Sequence, residues 1–169
     1  YDGLSMRTLG SEAGISPSVT YHYFKDKDVL LKQVFDQTNT ALGVERKKLK
    51  KPSSTLSTLR QRIEFQFEHA EDVVFVLKYY LHYRNSFEKL DNGYVPAKAY
   101  LHIEEVLQDG LSRGDIDPSL NVVEQAKVIT HAINGFVLEY YPNPPKGSDR
   151  KKLIDSIAQF VYRAIERRD

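Results

Sequence analysis

The chain has 169 residues, of which 41% are hydrophobic and 28% charged, and a net charge of +1. That size and balance suit one globular domain, or a small module joined to a larger one. The absence of cysteine excludes disulfides, thiolate metal sites and thiol redox sensing. No apolar run approaches the roughly 20 residues that cross a bilayer, and no basic-then-apolar start reads as a secretion signal. A cytoplasmic protein without a membrane partner is the expectation.

Charge is unevenly spread. Residues 1–51 hold nine Lys or Arg and six Asp or Glu, a balance of +3, so the rest sums to −2. The asymmetry is mild, and several of these lysines suit a solvated helix end. The chain opens on Tyr1 rather than methionine, so a preceding segment is expected.

Three helices are predicted in the first fifty residues. Ser5 caps one running to about Ala13, with Gly14 as its stop, and Met6, Leu9 and Ala13 give it one apolar face. Ser16 and Pro17 open the second, because Ser accepts from free N–H groups and Pro loses nothing at the first helical position. The segment Val19-Thr20-Tyr21-His22-Tyr23-Phe24 is locally β-favouring, yet helix-start residues lie on both sides of it. Asp26 caps the third helix, which carries Val29, Leu30, Val34, Phe35 and Leu42 and reaches the basic run Arg46–Lys51 before Pro52. The short gap around Gly14 is that of a helix-turn-helix.

The remainder also reads as helical. Ser53 or Ser54 opens a helix through Leu59, Ile63 and Phe67. Residues 72–87 read as a helix apolar nearly all round, hence central, with Glu71 and Asp72 at its start; a buried strand is the alternative. Leu90–Tyr94 reads as a loop. Pro96 opens a helix to about Arg113, ended by Gly114. Asp117-Pro118-Ser119 starts another to about Tyr141, and the last runs from about Ser148 to Arg167. The final two carry apolar stripes: Ile129, Ile133, Val137 and Tyr140 in one, Ile154, Ile157, Val161 and Ile165 in the other. Stripes this wide suit an interface shared by two subunits, or simply the core of one.

The segment Gly3–Leu31, "GLSMRTLGSEAGISPSVTYHYFKDKDVLL", resembles the DNA-binding domain of the tetracycline-repressor (TetR) family of bacterial transcription factors. The match rests on Ser5 with Arg7, the turn Ala13-Gly14-Ile15-Ser16, the signature Tyr21-His22-Tyr23-Phe24, and Lys27 with Leu30 and Leu31. The resemblance implies an all-α fold: a helix-turn-helix domain with its connecting helix over 1–50, and a helical effector-binding and dimerisation domain over 51–169. In the family one more helix precedes the position of Tyr1, so the domain is expected to lack its first helix here. Thr20 stands where the family has Leu, Ile or Val; its methyl can pack and its hydroxyl can bond a carbonyl one turn back.

The resemblance assigns base reading to Arg7, Pro17 and Ser18, and Val19 either joins them by contact with a thymine methyl or packs inward. An ion pair with Glu12 or Asp2 is the other use of Arg7. Ser5, Tyr21, His22, Tyr23 and Lys27 are the remaining DNA-contact candidates, with Lys27 at a helix N-terminus that already favours a phosphate. Tyr23 is equally suited to the core, and Phe24 is assigned to it.

The helical body is rich in aromatic and imidazole groups. Phe75, Tyr79, Tyr83, Tyr100, His102, His131 and Phe136 are candidates for lining an effector cavity, although each also suits a plain core. Glu68-His69 with Glu71-Asp72, or His102 with Glu105, is a weak metal pattern; no metal, cofactor or catalytic residue is expected. The sequence has no Gly-rich phosphate loop, nucleophile elbow or HExxH pair, so it is not expected to be an enzyme. The expected function is a homodimeric, ligand-responsive regulator: a repressor released from a palindromic site on double-stranded DNA by a small lipophilic molecule. A helical adaptor whose helix-turn-helix only packs is the competing reading, and an all-α enzyme a more distant one.

Overall fold

The computed structural model describes residues 5–50, 52–87 and 99–167. Among these residues the fold is all-α, with eight helices. The chain divides into two compact units, residues 1–43 and 44–169.

In the first unit, α1 (Met6–Glu12) and α2 (Pro17–Tyr23) pack together. Ser5 and Thr8 cap α1 reciprocally: the Thr8 amide donates to Ser5 Oγ at 3.1 Å and the Ser5 amide to Thr8 Oγ1 at 2.9 Å. Gly14 ends the turn at φ 68°, left-handed backbone that a Cβ disfavours. The helix-start signals around Val19–Phe24 overcome its β propensity: Ser16 accepts from the Val19 amide, with Pro17 beside it. α3 (Lys27–Lys47) follows, where Asp26 Oδ1 accepts from the Val29 amide at 2.9 Å. Phe35, fully buried, and Leu31 and Leu42 mark its inward face.

Thr20 is buried between α1 and α2. Its hydroxyl donates to the Ser16 carbonyl at 3.2 Å, the back-bond its position allows. A Cβ on Gly10 would stand 2.9 Å from Thr20 Oγ1 and 3.1 Å from the Ile15 carbonyl oxygen. The two helices approach closely because residue 10 has no side chain.

In the second unit, α4 (Thr55–Glu68), capped by Ser54, packs against α5 (Ala70–Phe87), α6 (Leu101–Arg113), α7 (Val122–Tyr140) and α8 (Gly147–Arg163). α4 is therefore the central helix. α5 is helical rather than a strand, but it buries Val73, Val74 and Tyr79 while exposing Leu81. Leu59, Ile63, Leu107 and Ile133 form the middle of the core. Burying each side chain of this kind is worth about 1.5–3 kcal/mol.

Three boundaries differ from the sequence expectation. α6 begins at Leu101 after a 3-10 turn at 99–100, whereas Pro96 and the 90–94 loop lie outside the described residues. α7 begins at Val122, capped by Asn121, because Asp117 is used otherwise. Its carboxylate accepts from the Ser119 amide and hydroxyl, both at 2.8 Å, which holds a turn in place of a helix start. α8 stops at Arg163, and the following backbone pairs Glu166 with Ile116 in an antiparallel bridge. The Asp117 amide donates to the Ile165 carbonyl at 2.9 Å, and Ile116 and Ile165 are fully buried.

Candidate functional site

The first unit presents a polar and aromatic face built on α2. Val19, Tyr21 and Tyr23 are 42%, 57% and 73% exposed, and Pro17, Ser18 and His22 are exposed with them. So much exposure removes the core reading for Tyr23 and leaves the Val19 methyls accessible. The rings of His22 and Tyr23 meet edge to face at 5.2 Å. Ser16 Oγ and Ser18 Oγ lie 2.9 Å apart, which orients the Ser18 hydroxyl at the start of the helix. Phe24, half-buried, points away from full exposure, as a side chain anchoring the helix must.

Arg7 is exposed on α1 and forms no ion pair with any described residue, Glu12 included. Ser5 is exposed too, but its hydroxyl and amide are both engaged with Thr8. Lys27, half-buried, is the first residue of α3. The unit thus sets small residues, aromatic hydroxyls and an imidazole along one short helix, with cationic side chains on α1 and α3. Such groups can donate to phosphate oxygens and to base edges.

The second unit holds a cavity of about 30 Å³ lined by Arg46, Arg62, Gln66, Ala99, His102, Ile103, Thr130 and Ile133. Arg46 comes from the end of α3, Arg62 and Gln66 from α4, His102 and Ile103 from α6, and Thr130 and Ile133 from α7. Arg62 Nη1 donates to the Arg46 carbonyl at 3.3 Å, and the Arg46 guanidinium lies 5.2 Å from the centre of the Phe65 ring. Among the described residues, Arg62 Nε and Gln66 Oε1 are buried without a hydrogen-bond partner. The Thr130 hydroxyl donates to the Ala126 carbonyl at 2.7 Å.

The cavity is electropositive. Burial, with the neighbouring Arg62, pushes the Arg46 guanidinium down to about 10. Burial also lowers Arg62, while the Glu105 carboxylate works the other way. His102 is pushed down to about 4, first by burial and then by Arg46, Arg62 and Lys47. At neutral pH the imidazole is therefore uncharged and both guanidiniums keep their charge. No described carboxylate pairs with either arginine.

Of the residues expected to line an effector cavity, His102 is the one among the described lining of this cavity. Phe75, Tyr79 and Tyr83 form a column along α5, with ring centres 6.3 and 4.5 Å apart. Tyr100 lies against Lys127, whose Nζ is 5.7 Å from the ring centre. Phe136 is half-buried on α7, and His131 is exposed. The sequence reading missed Arg46, Arg62 and Gln66. Arg62 and Gln66 are four apart and share a helix face, beside the apolar stripe of α4; that spacing was the available signal.

The eight residues expected at a subunit interface also take a different place. Ile129, Ile133, Val137, Ile154, Ile157, Val161 and Ile165 are buried within the single chain, and only Tyr140 reaches the surface. The stripes of α7 and α8 close the chain's own core. Their outward faces instead carry Val128 and Phe160, 60% and 68% exposed, with Leu138 and Tyr140. Among the described residues no group of three or more His, Asp or Glu side chains is placed to hold a metal. No helix among them is long and apolar enough to cross a membrane.

Comparison with known proteins bears on both units. The sequence profile described as "Bacterial regulatory proteins, tetR family" matches residues 1–34. Comparison with curated protein sequences gives no match. Among solved structures, the chain is similar to a candidate TetR-family transcriptional regulator from Rhodococcus sp., with a TM-score of 0.73 and 18% identity over 96% of this chain and 89% of that one. It is similar to the fatty acid degradation regulator FadR from Bacillus halodurans, with a TM-score of 0.72 and 18% identity over 94% and 84% of the two chains. The ketosteroid transcriptional regulator KstR2 of Mycobacterium tuberculosis gives a TM-score of 0.63 and 19% identity over 98% and 86%. The chain has the fold of TetR-family transcriptional regulators.

Proposed function

We propose that the protein is a TetR-family transcriptional regulator that binds double-stranded DNA as a homodimer and responds to a small effector held in its second unit. The observation that carries this reading is the exposed face of α2, Pro17 to Tyr23, within the stretch that the family profile matches. A helix this short, capped at its start and bearing outward Tyr and His, suits insertion in a major groove. Arg7, Pro17, Ser18 and Val19 read bases; Ser5, Tyr21, His22, Tyr23 and Lys27 hold the backbone.

The dimer is formed through the outward faces of α7 and α8, where Val128, Leu138, Tyr140 and Phe160 remain uncovered. Two recognition helices must stand about 34–36 Å apart to enter successive major grooves. An effector that prefers a body conformation with another spacing withdraws the DNA-competent state, by as much as its affinities for the two states differ. Two of the similar structures are named for fatty acid degradation and for ketosteroids, which supports a lipophilic effector.

Selection of bound duplexes from a random pool, using the full-length protein, tests the reading. A palindromic enriched site is expected, and recovery of unenriched sequence would refute it. Phe160→Glu tests the dimer: sedimentation should shift from dimer to monomer, and affinity for the enriched site should fall with it. A Phe160→Glu protein that stays dimeric would move the interface elsewhere.

A further inference from the structure

Arg46 and Arg62 face one small cavity without an ion pair to a described carboxylate, although the Glu105 carboxylate favours the charge on Arg62. Like charges held together in a partly desolvated space repel, and Glu105 offsets this at Arg62. Structural use explains part of each side chain: Arg62 Nη1 reaches the Arg46 carbonyl and Arg46 covers the Phe65 ring. It does not explain Arg62 Nε, buried without a hydrogen-bond partner among the described residues. A buried guanidinium N–H left unmade is costly, and it is a donor of the kind a planar anion accepts from.

The lining of the space narrows the anion. The walls beside the arginines are apolar at Ile103, Ile133 and Ala99 and polar at Gln66 and His102, and the Thr130 hydroxyl already donates to the Ala126 carbonyl. Two oxygens on a planar carbon, with hydrocarbon next to it, fit this lining better than a tetrahedral, fully charged phosphate.

We infer that the cavity receives the carboxylate of a small organic acid, its two oxygens accepting from Arg46 and Arg62 and its adjoining carbons lying against Ile103 and Ile133. This rests on the reading of the second unit as the effector-sensing body. His102, uncharged at neutral pH, lines the same space, so a carboxylate seated there favours protonation of the imidazole.

Calorimetry with the full-length protein tests the assignment, using straight-chain carboxylates from acetate to decanoate, the alcohols of matching length, and inorganic phosphate. At least one acid should bind about 10- to 100-fold more tightly than its alcohol, the range of a charge-assisted hydrogen bond lost. Arg46→Gln and Arg62→Gln should each reduce that binding by a similar factor. Circular dichroism should show both variants folded, so that the loss is one of binding. As a second readout, the acid should raise the pH at which the His102 ring protons titrate by NMR.

Acids that bind no better than their alcohols, or that bind both variants as well as the parent, would overturn the inference. So would phosphate that displaces the acid at equal concentration. An acid that binds as expected but leaves the selected DNA site occupied would refute effector control and leave the carboxylate site standing. A neutral compound that releases DNA while every acid is silent would do the reverse.

Discussion

Arg7 and Lys27 offer a contrast that separates reading from holding. Arg7 is exposed on α1 and in no ion pair with a described residue; Lys27 begins α3, where the free amides already favour an anion. Arg7→Ala should relax preference at one base pair by about 1–3 kcal/mol, seen as a flattened position in the selected site. Lys27→Ala should weaken all sequences alike and reduce the slope of log affinity against log salt by about one. Equal effects of the two on every sequence would remove the base-reading role of Arg7. Both residues could be proposed from the sequence because they lie within a local motif. His131 was misplaced although the phase was available: Ile129, Ile133 and Val137 set the inward face of α7, and two residues on from Ile129 is about 200° round the helix. Arg46 was read as part of a solvated basic run, Arg46–Lys51. Nothing local shows that the first residue of that run is covered by α4 and α6.

Helix starts and close approaches decide the elements. Ser5, Ser16, Asp26 and Ser54 were all readable as caps because a cap is satisfied within three residues. Asp117 was not, because the same side chain can hold a turn or start a helix, and here Ser119 takes both bonds. The packing of α4 on α6 depends on Gly110, which no local pattern marks. A Cβ there would stand 2.5 Å from Thr55 Oγ1 and 3.3 Å from Ile116 Cγ2. Thr55 cannot yield easily: its hydroxyl donates to Asp115 Oδ2 at 3.0 Å and accepts from Arg113 Nη2 at 2.9 Å. Gly110→Ala gains about 1 kcal/mol of helix propensity and incurs about 1–3 kcal/mol of overpacking, so a net loss is expected. Gly43, within α3, has nothing within 4 Å of its missing Cβ. Gly43→Ala should therefore raise the melting temperature by a few degrees while Gly110→Ala lowers it. A rise for both would show that Thr55 has room to move.

For the whole molecule, acid sensitivity should be traceable to the cavity in the second unit. His102 in the folded chain titrates at about 4, below its ordinary value of 6.5. Between those values the unfolded chain binds the extra proton, so stability is complete above about pH 6.5 and falls as the pH drops toward 4. The groups facing it are cationic: Arg46 and Lys47 from α3, and Arg62 from α4. His102→Gln should flatten the loss of stability across that window, measured by urea unfolding at pH 4.5 and 7. An unchanged slope would place the acid sensitivity elsewhere. The all-helical architecture was legible because the apolar periodicity of most long segments was helical, and residues 72–87 were too many for a typical strand. Which stripes face a partner was not, since a stripe looks the same to the sequence whether another helix of the same chain or of a second chain covers it. Seven of the eight residues assigned to a subunit interface are buried in the chain's own core, and the uncovered Phe160 lies at the edge of the α8 stripe.

The bridge between Ile116 and Glu166 means that the chain from α7 through α8 is held at both ends without relying on the link between the two helices. Main-chain bonds join Asp117 to Ile165 and Arg167 to Asp115, and α8 packs on α4 independently of that link. Proteolytic cleavage between Lys146 and Gly147, both exposed, should therefore yield a nicked protein whose two pieces stay together. They should travel as one species in native gel filtration and part only in denaturant, so that a severed backbone there leaves a working fold.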